Sequence, residues 1–192
     1  MNCHGSEHHA ASIHLLRYVK GTRNLGITYR GTSAPLEFTG YSDADWASDV
    51  DTRRSTTAYL FMLAGGPVSW ASKCQTTVAH SSTEAEYMAL SAASRDAMML
   101  KNIGQSFHIN AERPIIIYED NQGAIAMSSN PMTNSSSKHI AIKEHFVREK
   151  VADGDISIKY LKTTEMLADA LTKSLAKITL FKLRDVFMGG RE

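Results

Sequence analysis

Cysteine is almost absent from this chain: Cys3 and Cys74 are the two among 192 residues. Two thiols make no disulfide framework, so a reducing compartment is the expectation. An excess of one charge is also missing. Lys and Arg number 21 against 20 Asp and Glu, a formal net charge of +1. No overall basic character announces a nucleic-acid partner, and any electrostatic footprint has to be local. No stretch approaches the roughly 18 consecutive apolar residues of a membrane span. The start Met1-Asn2-Cys3-His4-Gly5 lacks the charged and apolar regions of a secretory leader. These absences lead to the expectation of an intracellular chain without a membrane, cytoplasmic or nuclear. Internal repeats and long low-complexity tracts are missing too.

What is present suffices for a folded domain. The apolar fraction is 43% and the charged fraction 21%, which excludes global disorder and supports a sizeable core. The length fits one domain with a short appendage. Residues 7–21 read as a short helix stopped at Gly21, and 25–40 as extended chain with turn signals from Gly31 to Pro35. Leu36 to Tyr41 then reads as a strand leading into an acidic turn, Asp43-Ala44-Asp45. Tyr59 to Leu63 and Val68 to Ser72, joined across Gly65-Gly66-Pro67, carry hairpin signals. Ser81-Ser82-Thr83-Glu84 has the spacing of a capping box. Ala85, Met88, Ala89, Ala92 and Met99 follow at helical spacing, which predicts a helix over about 83–103.

Pro114 to Tyr118 reads as a strand buried on both faces, and Asn121 to Ser128 as a short helix. Residues 130–137 read as a polar loop and 139–152 as a further helix. A strand is expected through Ile156, Ile158 and Tyr160, then a last helix over about 165–174. The order implies an α/β fold, a mixed sheet flanked by helices.

Four acids occupy informative places: Asp43 at the end of the first strand, Glu86 in the first turns of the long helix, Asp120 after the isoleucine strand, and Asp169 early in the last helix. Strand ends and helix starts meet at one edge of a sheet, where open α/β folds build their sites. Clustered carboxylates repel and raise one another's pKa unless cations neutralise them. Oxygen ligands select hard cations, Mg²⁺ above all where phosphate chemistry is concerned. Two such ions about 3.5–4 Å apart activate a water and stabilise the leaving oxygen of a phosphodiester. Taken singly, each acid has an ordinary explanation, as a turn or cap residue or as a partner of a helix dipole.

The words around the acids carry a resemblance. Tyr41-Ser42-Asp43-Ala44-Asp45-Trp46-Ala47, Arg54-Ser55-Thr56, Ser69-Trp70-Ala71-Ser72-Lys73-Cys74-Gln75, Ser81-Ser82-Thr83-Glu84-Ala85-Glu86-Tyr87, Asp120-Asn121-Gln122, Lys138-His139-Ile140 and Ala168-Asp169-Ala170-Leu171-Thr172-Lys173 stand in this order. Together they resemble the ribonuclease H domain of copia-type LTR retrotransposons. The resemblance implies a five-stranded mixed sheet with helices on both faces. It implies hydrolysis of the RNA strand of RNA–DNA hybrids with two Mg²⁺ or Mn²⁺, and a linked reverse-transcriptase domain as partner, in a virus-like particle or the nucleus. It selects Asp43 over Asp45 and Glu86 over Glu84 as the acids that hold metal, with Asp120 and Asp169.

Residues 7–22 are similar to the tail of a preceding reverse-transcriptase region. The expected division is therefore 1–33 as a remnant of that region, 34–177 as the ribonuclease H domain and 178–192 as a tail. Several positions depart from the family. The segment Leu161-Lys162-Thr163-Thr164-Glu165-Met166 has no His where many relatives carry one, Met166 stands where Asn is common, Ala141 where an acid is frequent, and His9 where Trp is frequent. None of these is a metal ligand.

Substrate contacts are expected from Ser42 and Ala44, from Ser81, Ser82 and Thr83 at a helix N-terminus suited to phosphate, from Asn121 and Gln122 toward base edges or 2′-hydroxyls, and from Lys138. Each has a plain alternative, as a helix cap or a solvated face. Lys138, His139, Lys143, His145, Arg148 and Lys150 form a basic stretch that reads first as a solvated helix face and second as a phosphate-tracking one. Cys3, His4, His8 and His9 match no firm zinc spacing. Trp46 and Trp70 are expected to be buried beside the sheet, and the methionines of the long helix to fill core. Two other functions stay open beside the nuclease: a silent remnant that binds nucleic acid or protein, and a related nuclease that cuts DNA.

Overall fold

Alternation along the second strand organises the molecule. Leu60 and Phe61 point to opposite faces of a sheet, as neighbours on a strand must, and each seeds one of the two apolar clusters that sandwich it. The structure, a computed structural model, describes residues 5–107, 109, 113–129 and 138–188, apart from the side chains of 138–144. The expected polar loop at 130–137 lies outside the described residues.

The strands are β1 (Thr39–Ala44), β2 (Thr56–Leu63), β3 (Gly66–Cys74), β4 (Ile115–Glu119) and β5 (Ile156–Tyr160). They lie in the order β3-β2-β1-β4-β5. β1, β2 and β3 pair antiparallel, and β1, β4 and β5 pair parallel. β2 and β3 are joined by Ala64 and Gly65, both at positive φ (53° and 80°). Positive φ at both central residues is the hairpin geometry that matches strand twist. The helices are α1 (Ser6–Thr22), α2 (Ser82–Ser106), α3 (Gln122–Ser129), α4 (Lys138–Ala152), the one-turn α5 (Asp169–Thr172) and α6 (Lys177–Phe187). This is the expected five-stranded mixed sheet with helices on both faces, and the expected order of elements holds from β1 to α5.

The N-terminus of α2 follows from its sequence. The Ser81 hydroxyl accepts from the Glu84 N–H at 3.1 Å, and the Glu84 carboxylate reaches back to the His80 N–H at 2.8 Å. Ala85, Ala89, Ala93 and Ala97 are all buried. Such small residues on one side let the helix lie close over the sheet. Against it, Phe61, Ile115, Ile117 and Ile156 pack with Tyr87, Leu90 and Leu100, with Ala124 of α3 and Val147 of α4. Each large side chain so buried contributes roughly 1.5–3 kcal/mol. The opposite face is smaller: Leu60, Leu167 and Leu183, with Tyr41, Leu171 and Phe187 packed against them.

Three departures from the sequence reading have local causes. β1 begins at Thr39 and runs to Ala44, so Asp43 lies within the strand and not in the turn after it. The last expected helix is broken into a 3₁₀ turn (Thr163–Glu165) and α5. Between them Met166, Leu167 and Ala168 are all buried, with Leu167 entering the smaller cluster. Of the segment expected as a tail, the described residues 178–188 lie largely in α6. Leu180, Leu183 and Phe187 fall at helical spacing, and Leu183 enters the smaller cluster. Just before the domain's first strand, the Thr28 N–H donates to Met188 O at 3.1 Å, the Arg30 N–H to Ala64 O at 2.8 Å and the Tyr29 hydroxyl to Pro67 O at 2.6 Å. α1 buries none of its residues.

Candidate metal centre

Parallel pairing of β1 with β4 puts two strand ends side by side. Tyr41 stands opposite Tyr118. Continued two residues, that register sets Ser42 beside Glu119 and Asp43 beside Asp120. Alternation then sends the pairs to opposite faces. Asp43 meets Thr172 and Lys173 at the end of α5, on the side of the smaller cluster. Glu119 shares its face with Ile115 and Ile117, the side covered by α2. The second turn of α2 brings Glu86 over the same end of the sheet, where its Oε2 accepts the Ala44 N–H at 2.7 Å. Asp169, the first residue of α5, comes from below.

The carboxylates converge. Oxygens of Asp43, Asp120 and Asp169 lie within 4.8 Å of one another, and so do oxygens of Glu86, Glu119 and Asp120. Asp120 belongs to both groups, so the four acids named from the sequence form one continuous arc around the sheet's end. Asp45, set aside in favour of Asp43, serves the neighbouring loop: it accepts from the Thr56 N–H and the Ser48 hydroxyl.

Burial and mutual repulsion govern the electrostatics. Burial pushes Asp43 up to about 6, although the Thr172 hydroxyl and the Lys173 ammonium pull it down; Asp169 and Asp120 push it further. Glu86 is pushed up to about 10, first by burial and then by Glu119, Asp43 and Asp120. Glu119 is also raised, mainly by burial. Lys173 lies 2.8 Å from Asp169 and 3.3 Å from Asp43. Burial works against its charge, but those two carboxylates outweigh it and raise the ammonium above its ordinary value.

The Lys173 ammonium already neutralises part of the Asp43–Asp169 side, so an ion there would have to compete with it. The donor set is all carboxylate oxygen, which fits a hard divalent ion and not a soft one. A buried oxygen of Glu119 that closes no hydrogen bond of ordinary geometry points the same way.

Glu119 was missed in the sequence, where it reads as the polar end of a strand. A signal was available: at two-residue period it falls on the face of Ile115 and Ile117, which is the core face. The other candidates divide. Ser81 and Ser82 are exposed and Thr83 half-buried at the start of α2. Asn121 caps α3, its Oδ1 accepting the Ala124 N–H at 3.0 Å, and it also takes a longer contact from the Thr83 hydroxyl at 3.4 Å. Gln122 is exposed. Ser42 is fully buried, and the Ala44 N–H is donated to Glu86. The Lys138, His139 and Lys143 side chains and the Cys3–His4 start lie outside the described residues.

Lys150 pairs with Glu149, Asp153 and Asp155 and so is tied into its own helix end. Trp46 and Trp70, expected to be buried, are each 56% exposed. Trp70 sits on the edge strand β3, and Trp46 lies just past β1 with its indole N–H on Ala79 O at 3.3 Å. Of the methionines on α2, Met88 is buried while Met99 is exposed.

Comparison with known proteins supplies relatives for this geometry. No family model matches the chain. It is 40% identical over 169 residues to the retrovirus-related Pol polyprotein from transposon TNT 1-94 of Nicotiana tabacum, covering 88% of the chain and 12% of that protein. It is 41% identical over 171 residues to the one from transposon RE1 of Arabidopsis thaliana, covering 89% and 12%. The chain thus spans about an eighth of the length of these relatives. Among solved structures, the N-terminal RNase H domain of a Mycobacterium tuberculosis protein superposes with a TM-score of 0.53 at 11% identity, covering 78% of this chain and 97% of that one. LC11-RNase H1 in complex with an RNA/DNA hybrid superposes with a TM-score of 0.52 at 11% identity, covering 71% and 94%.

Proposed function

Since this chain is a homologue of retrovirus-related Pol polyproteins from plant transposons and has the fold of ribonuclease H domains, we propose that it is a copia-type ribonuclease H that cleaves the RNA strand of RNA–DNA hybrids during reverse transcription. The observation that carries this reading is the pair of carboxylate triads sharing Asp120 at the ends of adjacent parallel strands. Asp43, Glu86, Asp120 and Asp169 are the proposed ligands of two Mg²⁺ ions, with Mn²⁺ as a substitute. When bound, such ions would supply an activated water and charge stabilisation at the leaving oxygen.

The chain's own residues prepare that chemistry. Burial keeps bulk water from the inner faces of Asp43 and Glu86, which strengthens every charge interaction they make. The Thr172 hydroxyl and Lys173 ammonium hold Asp43 in one orientation, and the Ala44 N–H does so for Glu86. The start of α2, with Ser81, Ser82 and Thr83, offers N–H and hydroxyl donors to a backbone phosphate beside the centre. Asn121 and Gln122 stand at the start of α3, where 2′-hydroxyls or base edges would be read, and Lys138 is a candidate phosphate contact. A reverse-transcriptase region of the same polyprotein is the proposed partner that holds the hybrid.

The test is substrate choice. The chain is offered labelled RNA–DNA hybrid, double-stranded DNA and double-stranded RNA in Mg²⁺ and in Mn²⁺. Cleavage of the RNA strand of the hybrid alone is expected. Preference for double-stranded DNA would replace this reading with a DNA nuclease, and salt-sensitive hybrid binding without cutting in either metal would replace it with a silent binding remnant.

A further inference from the structure

The two halves of the carboxylate arc differ in what neutralises them. On the α5 side, Lys173 lies between Asp43 and Asp169, so that half carries its own cation. On the α2 side there is none. Glu86 accepts the Ala44 N–H at 2.7 Å and Glu119 accepts the Asn121 N–H at 3.2 Å. Among the described residues, no basic side chain pairs with either. Glu119 Oε2 closes no hydrogen bond of ordinary geometry although the residue is fully buried; the Ser42 hydroxyl, on the adjacent strand and likewise short of a full bond, is the one side chain that favours its charge, and too weakly to offset burial. Buried polar atoms are nearly always satisfied, so a carboxylate oxygen left in this state calls for a ligand.

Oxygens of Glu86 and Asp120 lie within 4.8 Å of a Glu119 oxygen. Oxygens that share one Mg²⁺ stand roughly 3–4 Å apart, a separation that falls inside this limit. The side chain reaches this place by strand alternation: Asp120 turns toward the outer edge, while Glu119 turns under α2.

We propose that Glu119 is a fifth metal ligand of the centre, and that the resting chain takes one divalent cation in the Glu86–Glu119–Asp120 half while Lys173 neutralises the Asp43–Asp169 half. This deepens the metal-dependent reading above and rests on it. A second ion then has to displace the Lys173 ammonium, so occupancy of the outer half depends on a competing negative charge such as a substrate phosphate.

The experiment is a Mn²⁺ titration of the purified 192-residue chain, following the paramagnetic resonance signal of free Mn²⁺, with the melting temperature read in parallel. The wild-type chain is expected to bind one ion. Glu119→Gln, which keeps shape and removes charge, is expected to lose at least about tenfold in affinity and most of the Mn²⁺-induced rise in melting temperature. Lys173→Met is expected to bind two. Glu119→Asp keeps the charge but withdraws it, and is expected to bind more weakly than wild type; it decides the matter should the Gln variant not fold. Unchanged affinity in either Glu119 variant, or two ions in the resting wild-type chain, overturns the proposal. Hybrid cleavage measured on the same samples separates the two readings. A wild-type chain that binds no Mn²⁺ and cuts nothing fails the nuclease reading, whereas cutting with Glu119-independent binding fails only this inference.

Discussion

Replacing Glu86 by Gln is expected to stabilise the metal-free chain while removing its response to metal. Burial and the neighbouring carboxylates raise Glu86 from its ordinary 4.5 to about 10. Between those values the folded chain holds a proton that the unfolded chain has released. Folding therefore takes up a proton, and stability falls as pH rises through that window, by about 1.4 kcal/mol per unit. At pH 8, some 3.5 units above the ordinary value, the cost reaches about 5 kcal/mol as an upper bound, and on the order of 2–3 kcal/mol once the surrounding side chains relax. At pH 5 it is under about 1 kcal/mol. Gln needs no proton, and its carbonyl oxygen still accepts the Ala44 N–H.

The assay is urea unfolding in EDTA at pH 5, 6.5 and 8, followed by circular dichroism, for both proteins. The wild-type midpoint should fall from pH 5 to pH 8, the variant's should stay nearly level, and the variant should be the more stable at pH 8. Adding Mg²⁺ at pH 8 should then raise the wild-type midpoint alone. A wild-type midpoint that is flat or rising over this range, or a variant less stable at pH 8, would refute the reasoning. Stabilisation bought at the expense of a functional site is a common pattern.

Three further outcomes follow from local geometry. Gly40→Ala would put a methyl 2.5 Å from the Phe61 ring and is expected to cost on the order of 1–3 kcal/mol in a thermal melt; an unchanged melt contradicts the packing described. Ala64→Asn relieves an alanine at φ 53° next to Gly65 and is expected to gain about 1 kcal/mol, since Asn-Gly suits this turn; a loss of stability would place the strain elsewhere. Thr172→Val removes the hydroxyl that, against burial, does most to hold Asp43 down near 6. The acid limb of the pH–rate profile for hybrid cutting should therefore move to higher pH, and a limb that stays put would separate Asp43 from that limb.

The sequence was most readable where a local rule and a long-range one agreed. Ser81 and Glu84 announced the start of α2, and the alanines and methionines behind them its periodicity. The four acids were picked out by the words around them, and the structure draws those four together through Asp120. Glu119 was passed over because a strand's last residue is so often a polar end, although its period places it with Ile115 and Ile117. α6 was overlooked because its apolar side, Leu180, Leu183 and Phe187, is thin and bracketed by charge. Lys150 read as part of a basic face, but its partners Glu149, Asp153 and Asp155 are supplied by a helix end and a turn, which composition alone does not pair. Trp46 and Trp70 were assigned to the interior by their size, yet one is on an edge strand and the other in a turn, where covering elements run out.

The central claim is that carboxylates from four distant stretches act together through divalent ions. It is tested most directly by cleavage of a labelled RNA–DNA hybrid, comparing the wild-type chain in Mg²⁺ and in EDTA with Asp43→Asn and Asp120→Asn in Mg²⁺, all shown to be folded. RNA-strand cleavage by the wild-type chain in Mg²⁺ is expected, with loss of it, by at least about a hundredfold, in the other three reactions. Cleavage that persists in EDTA, or that either variant retains at the wild-type rate, would contradict the claim.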